Sequence, residues 1–115
     1  DKIIRNVIAS ADEHGAAIAA VPAKDTVKLS NGKDSIDSTP SREQVWIAQT
    51  PQAFKFSILY FAHERARADN VYGTDESSLV ERMGISVKLV EGTYDNIKIT
   101  TPEDIALAEL IAHRQ

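Results

Sequence analysis

Lys24, Thr26 and Lys28 alternate along one short segment, and Arg42, Thr50 and Lys98 follow further down the chain. These residue types suit a phosphate. Arginine offers a planar fork, lysine a compact charge, and threonine hydroxyls supply the donors that complete a phosphate's acceptor count. Each charged hydrogen bond to such a ligand contributes roughly 1.5 to 3 kcal/mol. Spacing does not make the six side chains converge, and the plain alternative is a scatter of solvated surface groups.

Lys98 has the most defined surroundings. Ile97 and Ile99 flank it with period-two spacing, which on a strand sends the isoleucines one way and the lysine the other. Thr101 then stands where a helix cap belongs, Pro102 suits the first turn, and Glu103 and Asp104 place negative charge at the positive end of the helix dipole. Lys98 is thus expected near the carboxyl end of a strand, the edge at which open α/β sheets bind ligands. A solvated lysine on an edge strand is the competing reading.

Other chemistries find little support. His14, His63 and His113 lie at helix ends or flanks without a ligand spacing such as HExxH, so a zinc site and a Ser-His-Asp hydrolase are not expected. The glycines at 15, 32, 73, 84 and 92 form neither a GxGxxG nor a P-loop spacing. The chain has no cysteine, which excludes a disulfide framework and a thiolate zinc site and fits a cytoplasmic protein. A net charge of -4 argues against a nucleic-acid surface. No apolar run approaches the roughly 18 residues of a membrane span, so no membrane partner is expected.

The elements that would position these groups alternate between helix and strand. Residues 2–13 carry Ile3, Ile4, Val7, Ile8 and Ala11 on one helical face, with Gly15 as C-cap. Ala16 to Val21 is an unbroken apolar run, a strand buried on both faces. Residues 24–30 alternate, placing Thr26 on one face with Lys24 and Lys28. Asn31-Gly32 turns the chain back through residues 35–39. Such a ribbon is too poor in apolar area to stand alone and needs a partner subunit or the parent domain beneath it. Gln44 to Gln49 reads as a further strand. Thr50-Pro51-Gln52 reads as the start of a helix reaching about Arg67, with Phe54, Ile58, Phe61, Ala62 and Arg65 on one stripe. A short helix follows Thr74, running from Asp75 to about Met83 and ended by Gly84. Val87 to Val90 is a strand, and a last helix carries His113 and Arg114 at its negative end. This alternation predicts an α/β sheet layered with helices. The chain opens on Asp1, already in helical pattern, as a polypeptide begun partway would.

Five ordered blocks carry a resemblance: residues 22–28, Arg42 with 46–54, 74–76, 89–92 and 96–104. Together they resemble the carboxyl-terminal half of the 2-C-methyl-D-erythritol 4-phosphate cytidylyltransferase family. The resemblance implies the carboxyl-terminal part of a Rossmann-like nucleotidyltransferase sheet flanked by helices, with residues 1–115 as the carboxyl-terminal portion of a single domain and residues 22–44 as its projecting hairpin arm. It implies an enzyme of isoprenoid precursor synthesis that transfers CMP from CTP to methylerythritol phosphate and releases pyrophosphate. Thr26, Arg42, Thr50 and Lys98 would then serve the sugar phosphate, with Lys98 and Arg42 closest to catalysis. The arm would wrap a second copy in a homodimer. Magnesium or another divalent cation would travel with CTP, held mainly by the other half of the family's chain, so that residues 1–115 alone would be inactive. A sibling reading is ribitol-5-phosphate cytidylyltransferase. From a different class, a non-catalytic dimerisation or ligand-binding module would also fit a chain without a triphosphate loop.

Overall fold

Residues 16 to 21 are all buried, and around them the rest is built. The computed structural model describes residues 1–73, 75–96 and 102–114. Strand β1 (Ala16–Pro22) is rich in alanine, so helices can approach both of its faces closely. Period two divides it. Ala17 and Ala19 meet Val7 and Ala11 on one side, while Ala16 meets Ala62 and Val80 on the other.

The first side is covered by helix α1 (Lys2–His14). Asp1 caps it by accepting from the Ile3 and Ile4 amides, and Gly15 ends it in the left-handed region at φ 100°. Strand β4 (Trp46–Phe54) pairs antiparallel with β1, and strand β5 (Lys88–Glu91) pairs parallel on its other side, giving the order β4-β1-β5. The second side is covered by helices α2 (Phe56–Ala68) and α3 (Glu76–Arg82), which bury Ala62, Ala66, Ser77 and Val80. A separate ribbon, β2 (Leu29–Ser30) with β3 (Ile36–Ser38), turns through Gly32 at φ 83°. A 3-10 turn at Arg42–Gln44 returns the chain to the sheet, and helix α4 (Pro102–Arg114) closes the described structure with Glu103 and Asp104 in its first turn.

The architecture is the expected α/β sheet between helices, and α1, its glycine cap and β1 fall where the pattern puts them. Three local expectations do not hold. Thr50-Pro51-Gln52 starts no helix: β4 runs on to Phe54, with Gln52 opposite Ile18, Ala53 opposite Ala17 and Phe54 opposite Ala16. The buried backbone of β1 needs hydrogen-bond partners over its whole length, and that requirement outweighs a local capping signal. Pro51 is tolerated because β4 lies at an edge of the described sheet, where register also slips between Ile18 and Ala20.

Helix α2 therefore begins at Phe56, and its buried stripe is Ala62 and Ala66 with Ile58 and Leu59 packed alongside; Phe61 is 62% exposed. Residues 23–28 are irregular rather than strand, so Thr26 shares no strand face with Lys24 and Lys28. The side chains along that stretch are mostly solvated, and polar alternation without burial does not fix a register. Asp75 caps α3 by accepting from the Ser78 amide at 2.8 Å. Thr74, the expected strand around Lys98 and the Thr101 cap lie outside the described residues.

Candidate functional site at the carboxyl edge of the sheet

Because β1 and β5 run parallel, their carboxyl ends, Pro22 and Glu91, open on the same edge. The segments that follow them meet there. The Gly92 amide donates to the Ala20 carbonyl at 2.9 Å, which carries the chain past the end of β1. Tyr94 then reaches back, its hydroxyl donating to the Pro22 carbonyl at 2.7 Å. Lys24 Nζ stands 3.8 Å from the centre of the Tyr94 ring, a cation–π contact that holds the ammonium over the edge. Arg42, delivered by the 3-10 turn, donates from Nη1 to the Lys24 carbonyl at 2.9 Å. The Ala23 amide donates to the Val45 carbonyl at 2.9 Å and fastens the start of the hairpin segment to the strand that leaves it.

Below this cluster, Gln49 on β4 donates to the carbonyls of Thr93 and Asn96 at 2.9 and 3.1 Å. Asn96 donates in turn from Nδ2 to the Thr50 carbonyl. Two cavities of about 400 and 410 Å³ flank the junction. Lys24, Gln49, Tyr94 and Asn96 line the first; Thr50, Thr93, Asp95 and Asn96 line part of the second.

Of the sequence-predicted residues, the structure brings Lys24 and Arg42 into contact and ties Thr50 to the 93–96 turn. Thr26 is exposed in the segment between Lys24 and the ribbon, and Lys28 turns to the Thr39 hydroxyl at 3.0 Å. Lys98 lies outside the described residues, two positions beyond Asn96 in the chain. Among the described residues no ion pair involves Lys24, Lys28 or Arg42. An edge that carries cations and hydroxyls can take an anionic ligand.

Tyr94, Gln49, Gly92 and Asn96 were not singled out in the sequence as a site. Their signal is tertiary, since Gln49 bonds to partners 44 and 47 positions away. A cavity of about 690 Å³ between α2 and α3 lies elsewhere and is lined by Ile58, Phe61, Arg65, Arg82, Met83 and Ile85. Its polar rim is structural. Arg82 bonds Asp69 at 2.6 Å and, with a smaller contribution from Arg65, holds that carboxyl below its usual range. His63 pairs with Glu76 across the same two helices, a bond that the spacing of the histidines does not announce. Among the described residues no group of three or more His, Cys, Asp or Glu side chains could hold a metal ion. The described residues therefore do not fit a resident metal centre.

A protein from Syntrophus aciditrophicus named 2-C-methyl-D-erythritol 4-phosphate cytidylyltransferase is 50% identical over 115 residues, covering 100% of this chain and 49% of the relative. One of the same name from Desulforamulus reducens is 49% identical over 112 residues, covering 97% of this chain and 48% of its own. The crystal structure of 4-diphosphocytidyl-2C-methyl-D-erythritol synthase from Anaerococcus prevotii superposes with a TM-score of 0.90 at 38% identity, over 98% of this chain and 52% of that one. The crystal structure of 2-C-methyl-D-erythritol 4-phosphate cytidylyltransferase from Thermus thermophilus gives 0.83 at 35% identity, over 97% and 55%. The chain spans about half the length of the curated relatives it matches. With the family profile matched over residues 1–114, the chain belongs to the IspD family, 2-C-methyl-D-erythritol 4-phosphate cytidylyltransferase.

Proposed function

We propose that this chain is the carboxyl-terminal half of a cytidylyltransferase and supplies the sugar-phosphate side of its site. The supporting observations are the contact between Lys24 and Arg42 at the carboxyl edge and the tie from Asn96 to Thr50, in a chain matched to the family over residues 1–114. In the reaction a phosphate oxygen of methylerythritol phosphate attacks the α-phosphorus of CTP. The bond to the β-phosphate oxygen breaks and pyrophosphate leaves. No general base is required, because the nucleophile is already an anion.

The difficulty is repulsion between two highly charged groups, and fixed cations relieve it while placing the reactants in line. Arg42 and Thr26 take the sugar phosphate, Thr50 lies beside it, and Lys98 orients and neutralises the attacking oxygen. Magnesium, or another divalent cation, would accompany the triphosphate and screen its charge; among the described residues no cluster of three or more acidic or histidine side chains would hold it. The ribbon at residues 22–44 reaches a second copy, so that Thr26 and Arg42 serve the neighbouring site of a homodimer. The protein works in the cytoplasm.

CTP-dependent pyrophosphate release by the complete enzyme, measured with methylerythritol phosphate and with ribitol 5-phosphate in parallel, tests the reading. Turnover with methylerythritol phosphate is expected. Turnover with ribitol phosphate alone would transfer the chain to the sibling activity, and turnover with neither would favour a non-catalytic module.

A further inference from the structure

Gln49 is only half-buried, yet both donors of its side-chain amide nitrogen are committed. Nε2 donates to two backbone carbonyls of the turn after β5, those of Thr93 and Asn96, at 2.9 and 3.1 Å. Only the nitrogen of that amide can donate, so these two acceptors fix which way it faces. Oε1 is thereby turned inward, buried and without a hydrogen-bond partner among the described residues. An orphan acceptor is unfavourable, and it persists because reversing the amide would set an oxygen against two carbonyls. Gly92 closes the space: a Cβ at that position would run into Gln49 Oε1. Asn96 completes the arrangement in the opposite direction, from the turn to the Thr50 carbonyl on β4.

Local bonds also fold this turn on itself. The Asn96 amide donates to the Thr93 carbonyl at 3.0 Å, and the Asp95 amide reaches Thr93 Oγ1 at 3.3 Å. Its attachment to β4 runs through the two amide side chains. One of them sits next to Thr50 in sequence, and the other two positions before Lys98.

We propose that Gln49 and Asn96 are positioning residues, a reciprocal amide clamp that holds Thr50 and the 93–96 turn at a fixed separation for the sugar phosphate. The inference rests on the sugar-phosphate reading of Thr50. The clamp touches no reacting atom. It acts through the carbonyls of Thr50, Thr93 and Asn96, so releasing it loosens one half of the site and leaves the CTP half as it was.

The test uses the complete enzyme and two shape-conserving variants, Asn96→Asp and Gln49→Met, each checked for folding by its thermal melt. Asn96→Asp replaces the donor to Thr50 with an acceptor; Gln49→Met removes both donors together with the orphan oxygen. Both should lower kcat/KM for methylerythritol phosphate by about tenfold or more while KM for CTP stays within about twofold. The Gln49→Met/Asn96→Asp double variant should be little worse than its more damaging parent, because the two side chains act as one device. A folded variant that keeps its sugar-phosphate kcat/KM, or that loses CTP affinity as severely, overturns the clamp. An unaltered enzyme that fails to use methylerythritol phosphate overturns the functional reading, and the clamp's role with it. Those two failures are told apart by the unaltered protein alone.

Discussion

Gly92 and Asp69 show how single residues are constrained by partners remote in sequence. Gly92 has no need of an unusual φ; what excludes a side chain there is the Gln49 amide, pinned by its two carbonyl acceptors. Gly92→Ala should displace that amide and leave the carbonyls unsatisfied, at a cost of about 1 to 3 kcal/mol, read as a lower urea midpoint at unchanged slope. An unchanged midpoint would mean the amide is free to move. Asp69, the C-cap residue of α2, bonds Arg82 at the end of α3 and titrates below the usual 3.8 because of that guanidinium. A carboxyl whose folded pKa is depressed stabilises the fold above its unfolded value and loses that contribution as pH falls through the folded one. Asp69→Asn should therefore be less stable than the parent at neutral pH, the gap closing in paired thermal melts as pH falls through the acid range below 3.8. A gap of constant size across that range would exclude the ion pair as its source. Neither pairing is legible in the sequence, where Gly92 reads as a turn residue and Asp69 as one acid among many.

Among the elements, those with both a local signal and a buried environment were legible, and those with only one were not. Helix α1 has an apolar face, an aspartate cap and Gly15 in the left-handed region, and all three agree. β1 is an uninterrupted apolar run, and burial on both faces follows from it. The Thr50-Pro51-Gln52 segment carries a helix-start signal that the sheet overrides, because the long-range pairing of β4 with β1 cannot be seen in a window of a few residues. The alternation at residues 24–30 describes a strand that nothing buries, and most of it is irregular. Gly15 is the sharpest test at this scale. Its φ of 100° disfavours a side chain, and a Cβ there would approach Ile58 Cδ1 at 2.7 Å, on the opposite helix layer. Gly15→Ala should destabilise by about 1 to 3 kcal/mol, measured by chemical denaturation; a neutral result would show that the cap and the α2 contact relax freely.

Across the whole molecule, the ribbon stands apart from the three-stranded sheet, with Leu29 49% and Ile36 62% exposed. The radius of gyration is 16.4 Å, against about 13 Å for a compact chain of this length. Exposed apolar residues on a ribbon that cannot hold itself together call for a covering surface, and the proposed dimer supplies one. Replacing Leu29 and Ile36 with serine should shift the complete enzyme from dimer toward monomer in sedimentation, and retention of the dimer would place the interface elsewhere. Residues 1–115 alone should release no pyrophosphate from CTP, since the proposed reading gives the described cations to the sugar-phosphate side; steady release would contradict that division. The central claim, that this edge carries the sugar phosphate, is tested most directly by Arg42→Ala in the complete enzyme, with KM measured for both substrates. Loss of one charged contact should raise KM for methylerythritol phosphate about tenfold or more and leave that for CTP nearly unchanged. Equal loss for both substrates, or none for the sugar phosphate, would contradict the account.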